Sequence, residues 1–582
     1  MTTKDLQSLL VFTLGCLCMT ACQPQAVPAG SGAQIKILRL AMSGGDFLTL
    51  DPALASDAGT LNVVRQAFVG LTRDDEQTAE VLPGIAESWD ISEDGKTYTF
   101  HLRQGIPWVT WDGQRVVEVR DCQDPPAVRW LTALDFAYGI QRSVDPATAA
   151  PYAFVLAQVI EGAEARAFGD GAREDVQVRA LDDFTLQVTF VRPAANNLAI
   201  IGLWTGYAQP KWLIEGDECT TPTGDQWADT GHFQSYGPFT LKSWVRDTDL
   251  TIVKNPFWPG IGASPQAKID EVVFKLLEDS QALQLYEIGD LESVGVPIGN
   301  EDRMRAHPIY SKELDTGPAL CTGFYGFNTH AAYVDDVRVR RALSMAIERQ
   351  ALIDNVAKYG QEAARWFSRP GLNAAPTLEG FPDLGIGFDP EAARRELQAY
   401  LDEKGLQPQD LDITFMYSRT GSTEKLANAV QSMWKENLGL NIKLDSQEWN
   451  YFLATVIHPD FAPQIFSLDW CADYPDAHNF LHDVFAKGGA TNPKEGGGIN
   501  WLNPEFERLI QEAAVEDDLE ARTQLYAQAE EILVDTDAAI APLWWGTRMV
   551  LTKPYVLRTV GSGGVDSFEK WDILPTPVAS GE

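Results

Sequence analysis

Residues 412–449 read as strand, helix, strand: DITFMYS, an amphipathic run from Ser422 to Leu438, then NIKLDSQEW. Two strands joined by a helix lie parallel, and parallel pairs are covered on both faces. The second half of the chain is thereby committed to α/β architecture. The first half carries a different pattern. AESWDISEDGKTYTFHLRQGIPW at 86–108 alternates apolar and polar residues around EDGK, where Asp-Gly supplies the positive φ of a tight hairpin. VRALDDFTLQVTFVRP, with its DDF turn, and GPFTLKSWVRDTDLTIVKNPFW at 237–258 read as two further hairpins. A chain of 582 residues exceeds the size at which a single core stops growing, so two or more domains are expected.

Local signals give the other elements. IKILRLAM alternates as a strand, and LDPALASDAGTLNVVRQAFVGL reads as a turn, then a helix with Leu61, Val64, Phe68 and Leu71 at helical spacing. TALDFAYGIQRSVDP is a helix from a Thr cap to a Pro stop. Residues 269–277 are a strand, and 334–357 read as one strong helix. A further helix runs from Asp-Pro at 389 to Gly405, and two more occupy 503–535.

Charge narrows the function. Lys and Arg number 46 against 82 Asp and Glu, a net charge of −36, which argues against nucleic acid and against a polybasic membrane patch. Seventeen tryptophans are more than cores alone require, so some are expected to line a groove. Catalytic motifs are thin. His478 and His482 stand i, i+4, but Asn479 comes after the first where a zinc protease carries Glu, so no metal site is expected. The pair reads as a polar helix start after Pro475. STEK at 422–425 matches Ser-x-x-Lys without its partner motifs and also reads as a helix start. No nucleotide or nucleophile motif appears, and no cofactor is expected. A secreted hydrolase using acidic pairs is the rival from another class; such pairs carry little weight in so acidic a chain.

The amino terminus reads as a processing segment: one early lysine, an apolar run from Leu9 to Met19 too short to span a bilayer, then small residues and a cysteine. MTAC at 19–22 resembles a lipobox, with Met where Leu is usual. Residues 1–22 are thus the expected lipoprotein signal, Cys22 the lipid-bearing residue, and 23–34 a flexible tether. Four cysteines remain, Cys122, Cys219, Cys321 and Cys471; an even number in an exported chain suggests two disulfides, with three pairings open.

AESWDISEDGKTYTFHLRQGIPW, TALDFAYGIQRSVDPATAAPYA, LCTGFYGFN with VDDVRVRRALSMAI, SQEWNYFL and WCADYPDAHNFL together resemble the family 5 solute-binding proteins of peptide ABC importers, most of all the oligopeptide-binding branch. The resemblance spans about residues 35–575. It implies an α/β, two-lobed fold of the periplasmic-binding-protein type II, with an extra subdomain and lobes joined by crossing strands. On that pattern 35–68, 205–320 and 543–582 form lobe I, 69–204 its extra subdomain, and 321–542 lobe II. It pairs Cys321 with Cys471, which leaves Cys122 with Cys219.

The implied function is capture of oligopeptides outside the cytoplasm, in the periplasm or on the outer cell surface, for delivery to ABC permease subunits. The chain acts as a monomer that makes and breaks no bond, and meets the membrane through its lipid alone. A general peptide receptor must grip what all peptides share, the backbone and the charged ends. In the family, the Asp of ADY holds the ligand ammonium; here that is Asp473. Asp before Tyr-Pro can also simply cap the turn. Trp470 and Trp449 match tryptophans that wall side-chain pockets, Tyr152 a tyrosine near the ligand's amino end, and Ala58 a main-chain contact. Basic residues that meet peptide carboxyl ends in the branch are missing near Thr423, Val456 and Ser467; Arg419 is nearby in sequence. The same fold also serves nickel complexes, haem and oligosaccharides, which makes a non-peptide ligand the alternative.

Overall fold

The computed structural model describes residues 35–575 apart from 43–44, 77–79, 124, 195, 298, 420, 560 and 562–565. The expected signal, tether and Cys22 anchor lie outside the described residues. No helix among the described residues is long and apolar enough to cross a membrane.

An 11-stranded sheet runs through the molecule. Its main strands, in chain order, are β1 (Ile37–Met42), β2 (Phe239–Val245), β3 (Asp249–Lys254), β4 (Glu271–Leu276), β5 (Ser293–Gly295), β6 (Leu314–Phe327), β7 (Thr414–Ser418), β8 (Lys443–Gln447), β9 (Ile465–Cys471) and β10 (Ile540–Thr552). They lie in the order β2-β3-β4-β1-β5-β10-β6-β9-β7-β8, and the short strand Glu362–Ala363 also pairs with β10. As the helix-linked pattern requires, β7 and β8 are parallel. The hairpin β2–β3 is antiparallel, and β1 pairs parallel with β4.

The two longest strands form the middle of this sheet. Leu314–Pro318 of β6 pairs with Leu551–Thr547 of β10, and Thr322–Gly326 pairs with Trp545–Ile540, with a register shift between Pro318 and Thr322. Before the shift, Met549 and Leu551 pack with Leu283 and Tyr286. Beyond it, Phe324, Ile540 and Trp545 join one core, while Tyr325 and Leu543 join another. A further core gathers Leu38, Phe100, Trp204 and Phe274 with Phe568 and Trp571 from the C-terminal segment. Separate apolar cores thus flank the point where β6 and β10 change register.

The hairpin at 86–108 forms with Gly95 at φ 72°, inside a separate four-stranded antiparallel sheet with the hairpin Val178–Asp182/Thr185–Thr189. Helix Ala133–Ser143 starts at Thr132 in a capping box with Asp135. Helix α1 (Ala58–Ala67) is capped by the Asp57 side chain on Thr60 N–H and stops before Phe68, so Leu71 lies beyond it.

One helix reads differently. In place of a continuous helix over 334–357, Val337–Met345 is succeeded by a break, a short turn Arg349–Leu352 and a π-helical turn Ile353–Ala357. Arg349 accounts for the break. Its buried guanidinium donates to the carbonyls of Ser344, Ile347 and Pro542, so carbonyls that a continuing helix would use are already taken. The disulfides join Cys321 to Cys471 and Cys122 to Cys219. The first links residues that face each other across β6 and β9.

Candidate functional site

Strand β9 pairs with β6 along Ile465–Cys471 but with β7 only at Ile465 and Phe466. Among the described residues, the backbone of Ser467–Cys471 has no second partner, so a stretch of strand edge is left open. Asp469 sits on this stretch. Its carboxyl is reachable by water, yet enough protein surrounds it for burial alone to push it up to about 6.

The open edge ends at the ADYPD turn. Helix α2 (Ala477–Phe485) comes next and is capped by Asp476, whose Oδ1 accepts from His478 N–H at 2.8 Å. Arg522 of helix α3 (Leu519–Glu531) donates to both oxygens of Asp476 at 2.8 and 2.9 Å. Asn373 adds a bond at 3.0 Å. Both members of the Asp476–Arg522 pair are buried, so the turn is clamped from beneath.

With Asp476 as the cap, Asp473 is released from that duty. Among the described residues its carboxylate has one hydrogen bond, from Asn479 Nδ2 at 3.3 Å, and no cation within ion-pair distance. Burial pushes Asp473 up to about 7; Arg65 and the Asn479 bond pull it down, and Asp483 raises it further. A carboxylate held this way gains much from a cation brought to it.

Asn479 is itself fixed. Its Oδ1 accepts from the Trp470 indole at 3.0 Å and from Asp473 N–H at 3.1 Å, and its Nδ2 also reaches Asp483 at 3.0 Å. Tyr474 donates to Asp483 at 2.6 Å, so the 2.8 Å contact between Tyr474 and His478 needs Nδ1–H of His478 as donor. That leaves His478 Nε2 bare among the described residues, and burial holds the ring neutral. His478, His482 and Asp483 place candidate metal-donor atoms within 4.8 Å of one another. Both Nδ1 atoms and both Asp483 oxygens are already hydrogen-bonded, and the rings stack with centroids 4.3 Å apart. Asp483, held by these bonds, in turn accepts from Asn479 Nδ2. The helix start expected after Pro475 is present, with Asp476 as its cap, and α2 is buried along its whole length.

The opposite wall is built by residues from the first half of the chain. The hydroxyl of Tyr152 has no hydrogen-bond partner among the described residues and is pushed far up by burial and by the charges of Asp473, Asp483 and Asp57. Its ring lies 5.0 Å from that of Trp204, whose indole donates to Ala55 O at 3.0 Å. The turn carrying Ala55 is held by Asp51, which takes both guanidinium nitrogens of buried Arg142 at 2.7 and 2.9 Å and the Trp227 indole at 2.9 Å. Each wall therefore rests on a buried, two-pronged Asp–Arg pair.

Beside Asp473 lies a cavity of about 100 Å³, measured as space open to water centres, lined by Arg65, Asp74 and Tyr207 together with Leu320, Asp473 and Tyr474. One water needs about 10–15 Å³ by that measure, so there is room for several. Asp473 lines this cavity; Trp470 is tied to it through Asn479, and the charge of Asp473 acts on the Tyr152 hydroxyl, but neither ring is among the cavity's lining. Ala58 is exposed at the first turn of α1, beside Asp57. Trp449 is 37% exposed at the start of the helix Trp449–Val456 and packs on Phe452. Arg419 is exposed and donates to Ser446 O at 3.2 Å. Asp469, Asp74 and Arg65 are not found from sequence, because single charges with no pattern around them carry no local signal.

Comparison with known proteins gives the family and the fold. Residues 80–492 match the family described as bacterial extracellular solute-binding proteins, family 5. The oligopeptide-binding protein OppA of Bacillus subtilis is 31% identical over 509 residues, covering 86% of each chain. The periplasmic OppA of Escherichia coli is 30% identical over 93% of each. The solved murein tripeptide binding protein MppA of Escherichia coli superposes with a TM-score of 0.79 at 27% identity, covering 94% of this chain and 99% of that one. The fold is the two-lobed type II arrangement of these binding proteins, and the chain belongs to the family 5 bacterial extracellular solute-binding proteins.

Proposed function

We propose that this protein captures oligopeptides by their free amino end and delivers them, as a monomeric lipoprotein anchored through Cys22 in the periplasm or at the outer cell surface, to an ABC importer. The observation that carries the reading is Asp473: a carboxylate without a cation partner among the described residues, at the end of an open strand edge. A guest strand along Ser467–Cys471 would use main-chain bonds that ignore side chains, while its ammonium meets Asp473 and the Tyr152 hydroxyl. Relatives named as oligopeptide-binding proteins, and a solved Haemophilus influenzae OppA complex with the peptide RPPGFSPFR, support the same class of ligand. The lobe limits read from the sequence, with crossing at β6 and β10, are part of this proposal; that one core joins Phe100 and Trp204 to Leu38, Phe274 and Trp571 supports assigning 69–204 to lobe I. The chain performs no chemistry on its ligand.

Mass spectrometry of ligand released from freshly purified protein tests the class. A mixture of peptides with free amino ends is expected. A haem, a nickel complex or an oligosaccharide in stoichiometric amount would overturn the reading.

Affinity should also depend on pH. Asp473 sits at about 7 in the free protein, and only its charged form attracts an ammonium. Peptide affinity should hold above pH 7 and fall as pH drops through it, by up to about tenfold per unit. Stability of the empty protein moves the other way. A raised folded-state value means the folded form binds the proton more tightly, so this residue's contribution is present at low pH and lost as pH rises through 7. Calorimetric titration at pH 5.5, 6.5 and 7.5 checks the first trend, and the Asp473→Asn variant should flatten it.

Tyr152→Phe removes one hydroxyl from the same group. A loss of roughly 3- to 10-fold in peptide affinity is expected, the size of one hydrogen bond, with thermal unfolding unchanged.

A further inference from the structure

Three charged side chains face the cavity at the amino-end site without an ion partner among the described residues: Asp473, Asp74 and Arg65. Their immediate neighbours are paired. Arg73 reaches Glu569 at 2.6 Å and Glu76 reaches Lys570 at 2.5 Å. Arg65, in the last turn of α1, makes no hydrogen bond among the described residues and lies with its guanidinium 5.5 Å from the centre of the Trp204 ring. Asp74 closes the strand Thr72–Asp74 and accepts no hydrogen bond among them; burial pushes it up to about 6 against the pull of Arg65 and Arg73. The segment carrying them is held tightly in place: a side chain at Gly202 would meet Thr72 Oγ1 at 2.2 Å, and one at Gly70 would meet Gly202 O at 2.4 Å.

Charge decides what this space can accept. The lining also carries Arg73, Asp75, Glu76 and Asp566, for a formal charge of −3; Arg73, Glu76 and Asp566 are held in ion pairs, and Asp473, Asp74 and Arg65 together contribute −1. If the ligand's ammonium neutralises Asp473, as proposed above, Arg65 and Asp74 remain as a neutral pair, one all donors and the other all acceptors. An acidic first side chain would answer Arg65 but repel Asp74. A basic one would answer Asp74 but repel Arg65. An apolar one would strip water from both and give nothing back. A carboxamide alone among the common side chains offers a carbonyl to Arg65 and an N–H to Asp74 without adding charge.

We infer that Arg65 and Asp74 form the subsite for the ligand's first side chain and that this subsite favours asparagine or glutamine. The inference rests on the amino-end reading of Asp473, and the experiment separates the two.

Calorimetry is run on the full-length protein with pentapeptides X-Ala-Ala-Ala-Ala, where X is Gln, Ala, Leu, Glu or Lys, and with N-acetylated Gln-Ala-Ala-Ala-Ala. The wild type should bind the Gln peptide about tenfold tighter than the others. Arg65→Gln should shift the preference to Lys, and Asp74→Asn should shift it to Glu, each by about tenfold. The N-acetylated peptide should bind poorly to all three proteins. A Gln peptide no tighter than the Ala peptide, or an order that neither substitution moves, overturns the subsite. If the order moves as stated while acetylation has no effect, the subsite stands and the amino-end reading falls. Circular dichroism and thermal unfolding of both variants confirm that they are folded; should one be unstable, Arg65→Lys or Asp74→Glu, which keep the charge and move its position, should lower the Gln preference.

Discussion

Asp473→Asn should lower the affinity for free-amine peptides by roughly 30-fold to several thousand-fold, the 2–5 kcal/mol found when one partner of a buried charge pair is removed. The fold should survive. Asparagine matches aspartate in shape, and its carbonyl can keep the 3.3 Å bond from Asn479. The empty variant should be at least as stable as the wild type near neutral pH. Raising this carboxyl from 3.8 to about 7 corresponds to roughly 4 kcal/mol of unfavourable burial of charge, an upper figure for a partly accessible group. On the proposed reading, that same quantity is the source of the grip: the ligand's ammonium relieves a penalty the empty cleft already carries. N-acetylating the peptide removes the other partner, and the two changes should not add. A double-mutant cycle in calorimetry, with wild type and Asp473→Asn against free and acetylated peptide, reads this directly. Equal affinity of the wild type for both peptides, or full additivity, would show that Asp473 does not hold the ammonium.

The hairpins and the β7–helix–β8 unit are legible in the sequence because alternation, Asp-Gly turns and helical spacing are local signals. The break after Met345 is not, because it depends on Arg349 finding Pro542 O far along the chain. The ADYPD turn holds two aspartates three residues apart, either able to cap the next helix. Only the family resemblance favours the ligand role for Asp473. The structure gives the physical reason: Asp476 takes the cap because Arg522 and Asn373 hold it there. Trp449 resembles a pocket tryptophan by sequence context and is 37% exposed. The two-pronged Asp51–Arg142 and Asp476–Arg522 pairs are invisible in the sequence, since the partners stand 91 and 46 residues apart. Residues that merely hold others in place leave no motif.

Arg522→Met should be the most destabilising single change near the site. It strands Asp476 in the interior, with one oxygen still serving His478 N–H and the other left to Asn373. Breaking a buried ion pair from one side typically costs about 3–5 kcal/mol, because an uncompensated charge remains. The loss should appear as a lower urea midpoint, and binding should weaken with it, because the turn that carries Asp473 loses its clamp. Asp476→Leu combined with Arg522→Met distinguishes clamp from stability. Removing both charges should restore much of the stability lost in the single variant, as apolar replacements of buried pairs do. It also deletes the α2 cap, worth about 1 kcal/mol, so recovery should stop short of the wild type. Peptide affinity should recover less than stability does, since nothing then fixes the angle at which Asp473 leaves β9. If affinity returns in full with stability, the pair contributes to folding alone, and Asp473 is positioned by Asn479 without help from beneath.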